Sequence, residues 1–189
     1  MAETTEPQLD EDGLVIQTYD SMVLVVVPQT GFGDQILRYA RSSLYNVSVG
    51  TRSVAQDPDT DVKGRLQDEF LVDGPLAGET MDAYTGILIA GCEGPNPLAN
   101  DAQVQALLRA AHADGKLIAA WGNGLEALAA AGVVKGRKVT GDASAQSATK
   151  SAGGKYTGRQ LEVSNHIVTA VDEGSGMRFG QALAEVVRI

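Results

Sequence analysis

The chain has 189 residues, 43% of them hydrophobic, enough to bury one sizeable core and about the length of a single domain. Its net charge of −9, from 24 acidic against 15 basic residues, comes with no Lys/Arg cluster, which argues against nucleic acid and anionic membrane as partners. One cysteine, Cys92, excludes an intrachain disulfide framework, and two histidines, His112 and His166, are too few for a dedicated His/Cys metal site.

The opening "MAETTEPQLDEDG" is acidic and lacks the basic and apolar regions of a secretory signal. Residues 1–20 are expected to form a flexible acidic arm, and 21–189 a single domain. No apolar run approaches the ~20 residues of a membrane span, so a soluble, cytoplasmic protein is expected. "SMVLVVVPQ" (21–29) reads as a strand buried on both faces of a parallel sheet. After the turn "TGFGD", residues 35–44 place Ile36, Leu37, Ala40 and Leu44 at helical spacing, and "YNVSVGT" (45–51) is strand-like. Residues 52–65 carry charges and no periodicity, which predicts a loop, followed by a small hairpin or edge strand in "EFLVDGPL" (69–76).

"YTGILIAGC" (84–92) is the next buried strand. Residues 101–115 form an amphipathic helix with Asn100 or Asp101 as N-cap and Gly115 just past its end. His112, near that terminus, reads as a solvated or dipole-stabilised histidine. "KLIAAW" (116–121) is a buried strand and "GLEALAAAGVV" (124–134) an Ala/Leu helix ending at Gly132. "KVTGD" (138–142) is a short strand, and 143–156 is a loop or a weak helix. Two apolar runs flank "SNH" within 160–171, a hairpin in which His166 is a turn residue. Residues 176–189 place Met177, Phe179, Ala182, Leu183, Val186 and Val187 on one core-facing helical stripe. The alternation specifies an α/β three-layer sandwich with a mainly parallel sheet and helices on both faces, of flavodoxin-like type.

In such sheets ligands sit at the carboxyl ends of strands. Three glycine-rich turns follow buried strands: "PQTGFGDQ" (28–35), "AGCEGPNPL" (90–98) and "AAWGNGLEAL" (119–128). Together with "EVSNHIVTA" (162–170) and the final helix, in this order, they resemble the DJ-1/PfpI superfamily, also called the ThiJ/PfpI or class I glutamine amidotransferase-like group. The resemblance spans about residues 21–188. It is most continuous at "AAWGNGLEALAAAGVVKGR" (119–137), which is similar to the family's run from the nucleophile elbow into "LAAAGVLKGR". It implies a DJ-1-like fold and a homodimer. It also implies three active-site positions, each of which departs from the family pattern here. Gly122 stands where active members carry the nucleophilic cysteine, Gly33 where they carry a glutamate, and Asn123 where a histidine often follows.

Without thiolate or base at the elbow, the chain is expected to be a pseudoenzyme with a binding, sensing or interaction role. The expected pocket is lined by Gly33, Asp34, Gly91 and Cys92, with Glu93, Trp121, Gly122 and Asn123 completing it. No cofactor and no metal are expected. Cys92 is either a small buried residue or a relocated nucleophile of a hydrolase or glyoxalase-like enzyme. Asp34 and Glu93 are solvated loop carboxylates or neighbours of that thiol, which they would not activate. Asn123 is a turn residue or a ligand donor, and Trp121 a core residue or an aromatic wall. A competing reading takes "GNGLEA" (122–127) as a dinucleotide fingerprint, with Asp142 about 20 residues on as the ribose-binding acid.

Overall fold

The computed structural model describes Tyr19 and residues 21–67 and 69–188; the expected N-terminal arm lies outside the described residues, Tyr19 apart. Strand β1 (Ser21–Val26) is an inner strand of a seven-stranded sheet. Its apolar run is explained by burial on both sides, because alternate residues enter two different cores. Val23 and Val25 join one cluster, Leu24 and Val26 the other.

The remaining strands of this sheet are β3 (Val49–Ala55), β5 (Gly74–Pro75), β6 (Gly86–Ile89), β7 (Leu117–Trp121), β10 (Leu161–Ser164) and β11 (Ile167–Ala170). Their order is β10-β11-β7-β6-β1-β3-β5. All neighbours run parallel except β10, which pairs antiparallel with β11. Two short pairs lie outside this sheet: β2 (Thr30–Phe32) with β4 (Lys63–Gly64), and β8 (Lys138–Val139) with β9 (Lys155–Tyr156).

Helices α1 (Asp34–Tyr45) and α5 (Gly176–Val186) cover one face of the sheet, burying Ile36, Leu37, Ala40 and Leu44 beside Phe179, Ala182 and Leu183. Helices α2 (Ala102–Ala113) and α3 (Leu125–Ala130) cover the other, with Val104, Leu107 and Leu108 beside Leu125 and Leu128. The expected three-layer α/β sandwich is therefore present. Asp101 caps α2, its Oδ1 accepting from the backbone N–H of Gln103 at 2.8 Å and of Val104 at 3.0 Å.

Several boundaries moved for physical reasons. Tyr45 belongs to α1 and the following strand runs to Ala55, taking in the polar Arg52 and Ser53 that had suggested a loop. Both are held there by partners outside the strand: Arg52 Nε donates to Glu79 at 2.9 Å, and Ser53 N–H donates to Asp73. The segment 143–156 contains a helix, α4 (Gln146–Ser151), as well as β9. Met177 is 59% exposed and leaves the core stripe of α5, because it sits two positions, some 200°, from Phe179. Among the described residues no helix is long and apolar enough to cross a membrane.

Candidate functional site

Four parallel strands, β1, β6, β7 and β11, deliver their carboxyl ends to one edge of the sheet, and the segments that follow them enclose a cavity of about 680 Å³. Gly31 and Gly33 follow β1; Gly91, Cys92, Glu93, Gly94 and Pro95 follow β6. Trp121, Gly122 and Asn123 come from the end of β7, and Val171, Asp172 and Glu173 from the end of β11. Arg65, Glu126, Asp142 and Ser144 complete the rim.

The elbow after β7 turns through Gly122 at φ +58, a left-handed conformation that costs a residue with a Cβ about 1–2 kcal/mol. Space is not what excludes a side chain there. An added Cβ would meet only Gly91 Cα and Val171 O, both at 3.7 Å, ordinary van der Waals separations. Gly91 differs, since a Cβ on it would overlap the Trp121 carbonyl oxygen. The β6 and β7 turns thus touch through backbone, and the volume above Gly122 is left open.

Asn123 ties the β6 turn to the elbow. Its Oδ1 accepts from Cys92 N–H at 2.9 Å and from Asn96 Nδ2 at 3.1 Å, and its Nδ2 donates to Gly94 O at 2.7 Å. The residue is 6% exposed, so its amide is committed to holding the wall. Cys92 is half-buried, and its backbone bridges to Phe32 in the first turn. Burial pushes its thiol above the ordinary value; Glu126 and Glu93 push in the same direction, against a hydrogen bond from Asn123 that lowers it. Its Sγ donates to Pro95 O at 3.9 Å. Glu93 pairs with Arg65 Nε at 2.8 Å on the solvent side of the rim.

Asp34 is not part of this cavity. It begins α1 and turns toward the β4 segment, where its Oδ2 accepts from Leu66 N–H at 3.0 Å, and it lines a separate groove beside Phe32, Arg38 and Arg41. Glu173 was not foreseen. Its Oε1 and Cγ would lie 2.8 and 3.1 Å from a Cβ on Gly33, so this carboxylate stands where a side chain at position 33 would go. The available signal was the hairpin: its second strand, once parallel to β7, must end at the ligand edge of the sheet.

Neither histidine is at the site. His112 Nδ1 and His166 Nε2 are 3.0 Å apart, joining the end of α2 to the β10–β11 turn. His166 precedes β11 and therefore lies at the amino edge, opposite the cavity. Burial, His112 and Arg137 all hold His166 below the ordinary imidazole value. The sequence placed the two rings in a helix end and a turn, and could not show that they meet.

The dinucleotide reading finds little support in this geometry. The acid of that fingerprint belongs at the end of the adjacent strand in the same sheet, whereas β8, before Asp142, pairs with β9 in a separate two-stranded sheet. Asp142 instead accepts from Ser144 N–H at 2.8 Å, and the helix after the glycines, α3, has six residues.

The sequence profile of the DJ-1/PfpI family matches residues 21–186. The chain belongs to the DJ-1/PfpI family. Solved structures agree with this in fold. A ThiJ/PfpI domain protein from Brachyspira murdochii superposes with a TM-score of 0.83 at 19% identity, over 90% of this chain and 98% of that one. DJ-1beta from Drosophila melanogaster gives 0.78 at 22% identity, over 88% and 90% of the two chains. DJ-1 from Schizosaccharomyces pombe gives 0.75 at 20%, over 87% and 90%. Comparison with curated protein sequences gives no match. In this DJ-1/PfpI chain the cavity sits at the elbow that the sequence resemblance assigns to the family's nucleophile, with Gly122 at its tip.

Proposed function

We propose that this DJ-1/PfpI protein is a binding member of its family, which takes a small molecule into the cavity above Gly122 without forming a covalent bond to it. The observation that carries this reading is the elbow itself: a left-handed glycine beside open volume, with no side chain to attack a ligand. Two further features support it. Cys92, the sole thiol of the chain, is held toward its protonated form, and the thiolate is the nucleophilic form. Among the described residues lining the cavity there is no imidazole to take its proton.

The test is a small-molecule panel followed by the fluorescence of Trp121, the only tryptophan, and repeated on Val171→Phe, which places a ring in the cavity wall. Saturable quenching or enhancement that Val171→Phe abolishes is the expected result. Compounds that bind both proteins equally would place the binding site elsewhere and overturn the reading.

A further inference from the structure

The groove that Asp34 lines, about 310 Å³ in volume, runs along α1 and is separate from the cavity. Arg38 and Arg41, three residues apart on that helix, both line it. Among the described residues neither guanidinium forms an ion pair, in a chain that holds 24 acidic residues. Arg41 is nevertheless held in place. Its Nε donates to Thr51 Oγ1 at 3.2 Å and to the Tyr45 hydroxyl at 3.3 Å, and its Nη2 donates to the Tyr45 hydroxyl at 3.0 Å. The guanidinium carbon lies 5.8 Å from the Tyr45 ring centroid and 5.6 Å from that of Phe70, within reach of cation–π attraction.

All of these partners are neutral, and the hydrogen bonds use one edge of the guanidinium. The end-on edge, Nη1 with the second proton of Nη2, makes no hydrogen bond among the described residues. That edge has the fork geometry that receives a carboxylate through two parallel bonds. Neither acid on the groove takes it. Asp34 turns its carboxylate onto the β4 backbone, where Leu66 N–H donates to it and a Cβ on Gly64 would overlap it. Glu69 bridges to Lys63 through its backbone, and its charge acts on the Lys63 ammonium. Arg41, Tyr45 and Phe70 are each only half-buried, so the free edge and two ring surfaces meet in an open groove.

We propose that this groove is a second binding site, which takes a small aryl carboxylate, its carboxylate on the end-on edge of Arg41 with Arg38 beside it and its ring against Phe70. The carboxylate supplies the countercharge that both guanidiniums lack, in charge-assisted hydrogen bonds. Phe70 already meets Phe32 edge to face, with ring centroids 5.4 Å apart, and a ligand ring extends that array. The groove's volume is at the small end for ligand pockets and suits a single-ring acid. The cavity above Gly122 does not compete for such a ligand, because Glu93, Glu126, Asp142, Asp172 and Glu173 line it and repel anions.

Phenylacetate, acetate and 2-phenylethanol separate the carboxylate from the ring, and the backbone amide resonances of Tyr45 and Phe70 in a ¹⁵N-correlated NMR spectrum report on the groove. Phenylacetate is expected to shift them saturably, with acetate and 2-phenylethanol weaker by about tenfold or more. Arg41→Lys keeps the charge but loses the fork, and should weaken phenylacetate by about tenfold. Arg38→Gln should weaken it by about threefold or more. Arg109→Gln, on an exposed position of α2 across the sheet, should leave it unchanged. Resonances that phenylacetate does not move, equal binding of acetate or 2-phenylethanol, or an unaltered affinity in Arg41→Lys overturns the proposal. Should Arg41→Lys fail to fold, Arg38→Gln decides, and an unaltered affinity there overturns it in the same way.

Discussion

Replacing Gly122 and Gly91 by alanine, one at a time, separates two kinds of glycine that the sequence alone makes look alike. At Gly122 the cost is conformational: φ of +58 penalises a Cβ by about 1–2 kcal/mol. Removing glycine's freedom from the unfolded chain offsets this by about 0.4–1 kcal/mol. No steric penalty is added, since the nearest atoms to the new methyl are 3.7 Å away. The net loss is about 1 kcal/mol, or a fall of about 2–4 °C in Tm for a chain of this size. At Gly91 the methyl would overlap the Trp121 carbonyl and come within 3.1 Å of Gly122 Cα. Those are backbone atoms beside the β6–β7 ladder and can retreat only by disturbing it, so the loss is about 3 kcal/mol, or about 6–12 °C. Urea and thermal unfolding of the two variants measure the difference. If Gly122→Ala proves as damaging as Gly91→Ala, the volume above the elbow is not open and the account of the cavity is wrong.

Gly122→Cys should fold with a similar small loss, and its new thiol should be alkylated faster than Cys92; equal rates would count against the open elbow. Cys92 in the unmodified chain should react with a thiol reagent more slowly than free cysteine at pH 7.5, and faster as pH rises, because burial and two carboxylates raise its value; fast labelling at neutral pH would contradict this. Asn123→Ala strips acceptors from Cys92 N–H and Asn96 Nδ2 and should cost about 2–4 kcal/mol in urea unfolding. His166 is held below its unfolded value of about 6.5, so the unfolded chain takes up its proton first as pH falls. Its contribution to stability is therefore complete above about pH 6.5 and is lost as the pH drops from there through the folded value. His166→Asn should flatten unfolding free energy against pH in this window, and an unaltered slope would show that folding does not lower the His166 value.

The fold was largely legible because its strands are buried on both faces and its helices on one. Runs such as "VLVVV" and "LIAAW" leave little room for other assignments, and Asp101 and Gly115 mark the ends of α2 as caps should. What failed was local polarity in otherwise regular elements. The Arg52 guanidinium and the Ser53 backbone N–H are satisfied by Glu79 and Asp73, 27 and 20 residues away, and no window of sequence shows such partners.

The site divided in the same way. Gly33, Gly91, Cys92, Glu93, Trp121, Gly122 and Asn123 were found at the cavity because motif order fixes which turns meet at the sheet edge. Asp34 was misplaced by one helical position of direction: Gly33 faces the cavity and the next residue turns toward Leu66. Glu173 was missed because the hairpin signal points to it only once β11 is known to lie beside β7, a pairing that follows from the whole sheet. The His112–His166 contact, 54 residues apart, is long-range in the same sense.

The proposed function has the cavity bind a ligand without covalent chemistry. Steady-state turnover of dicarbonyl and peptide substrates by the intact protein and by Cys92→Ala tests it most directly. Neither protein should exceed the buffer rate. Turnover by the intact protein that Cys92→Ala abolishes would contradict it and make Cys92 a working nucleophile.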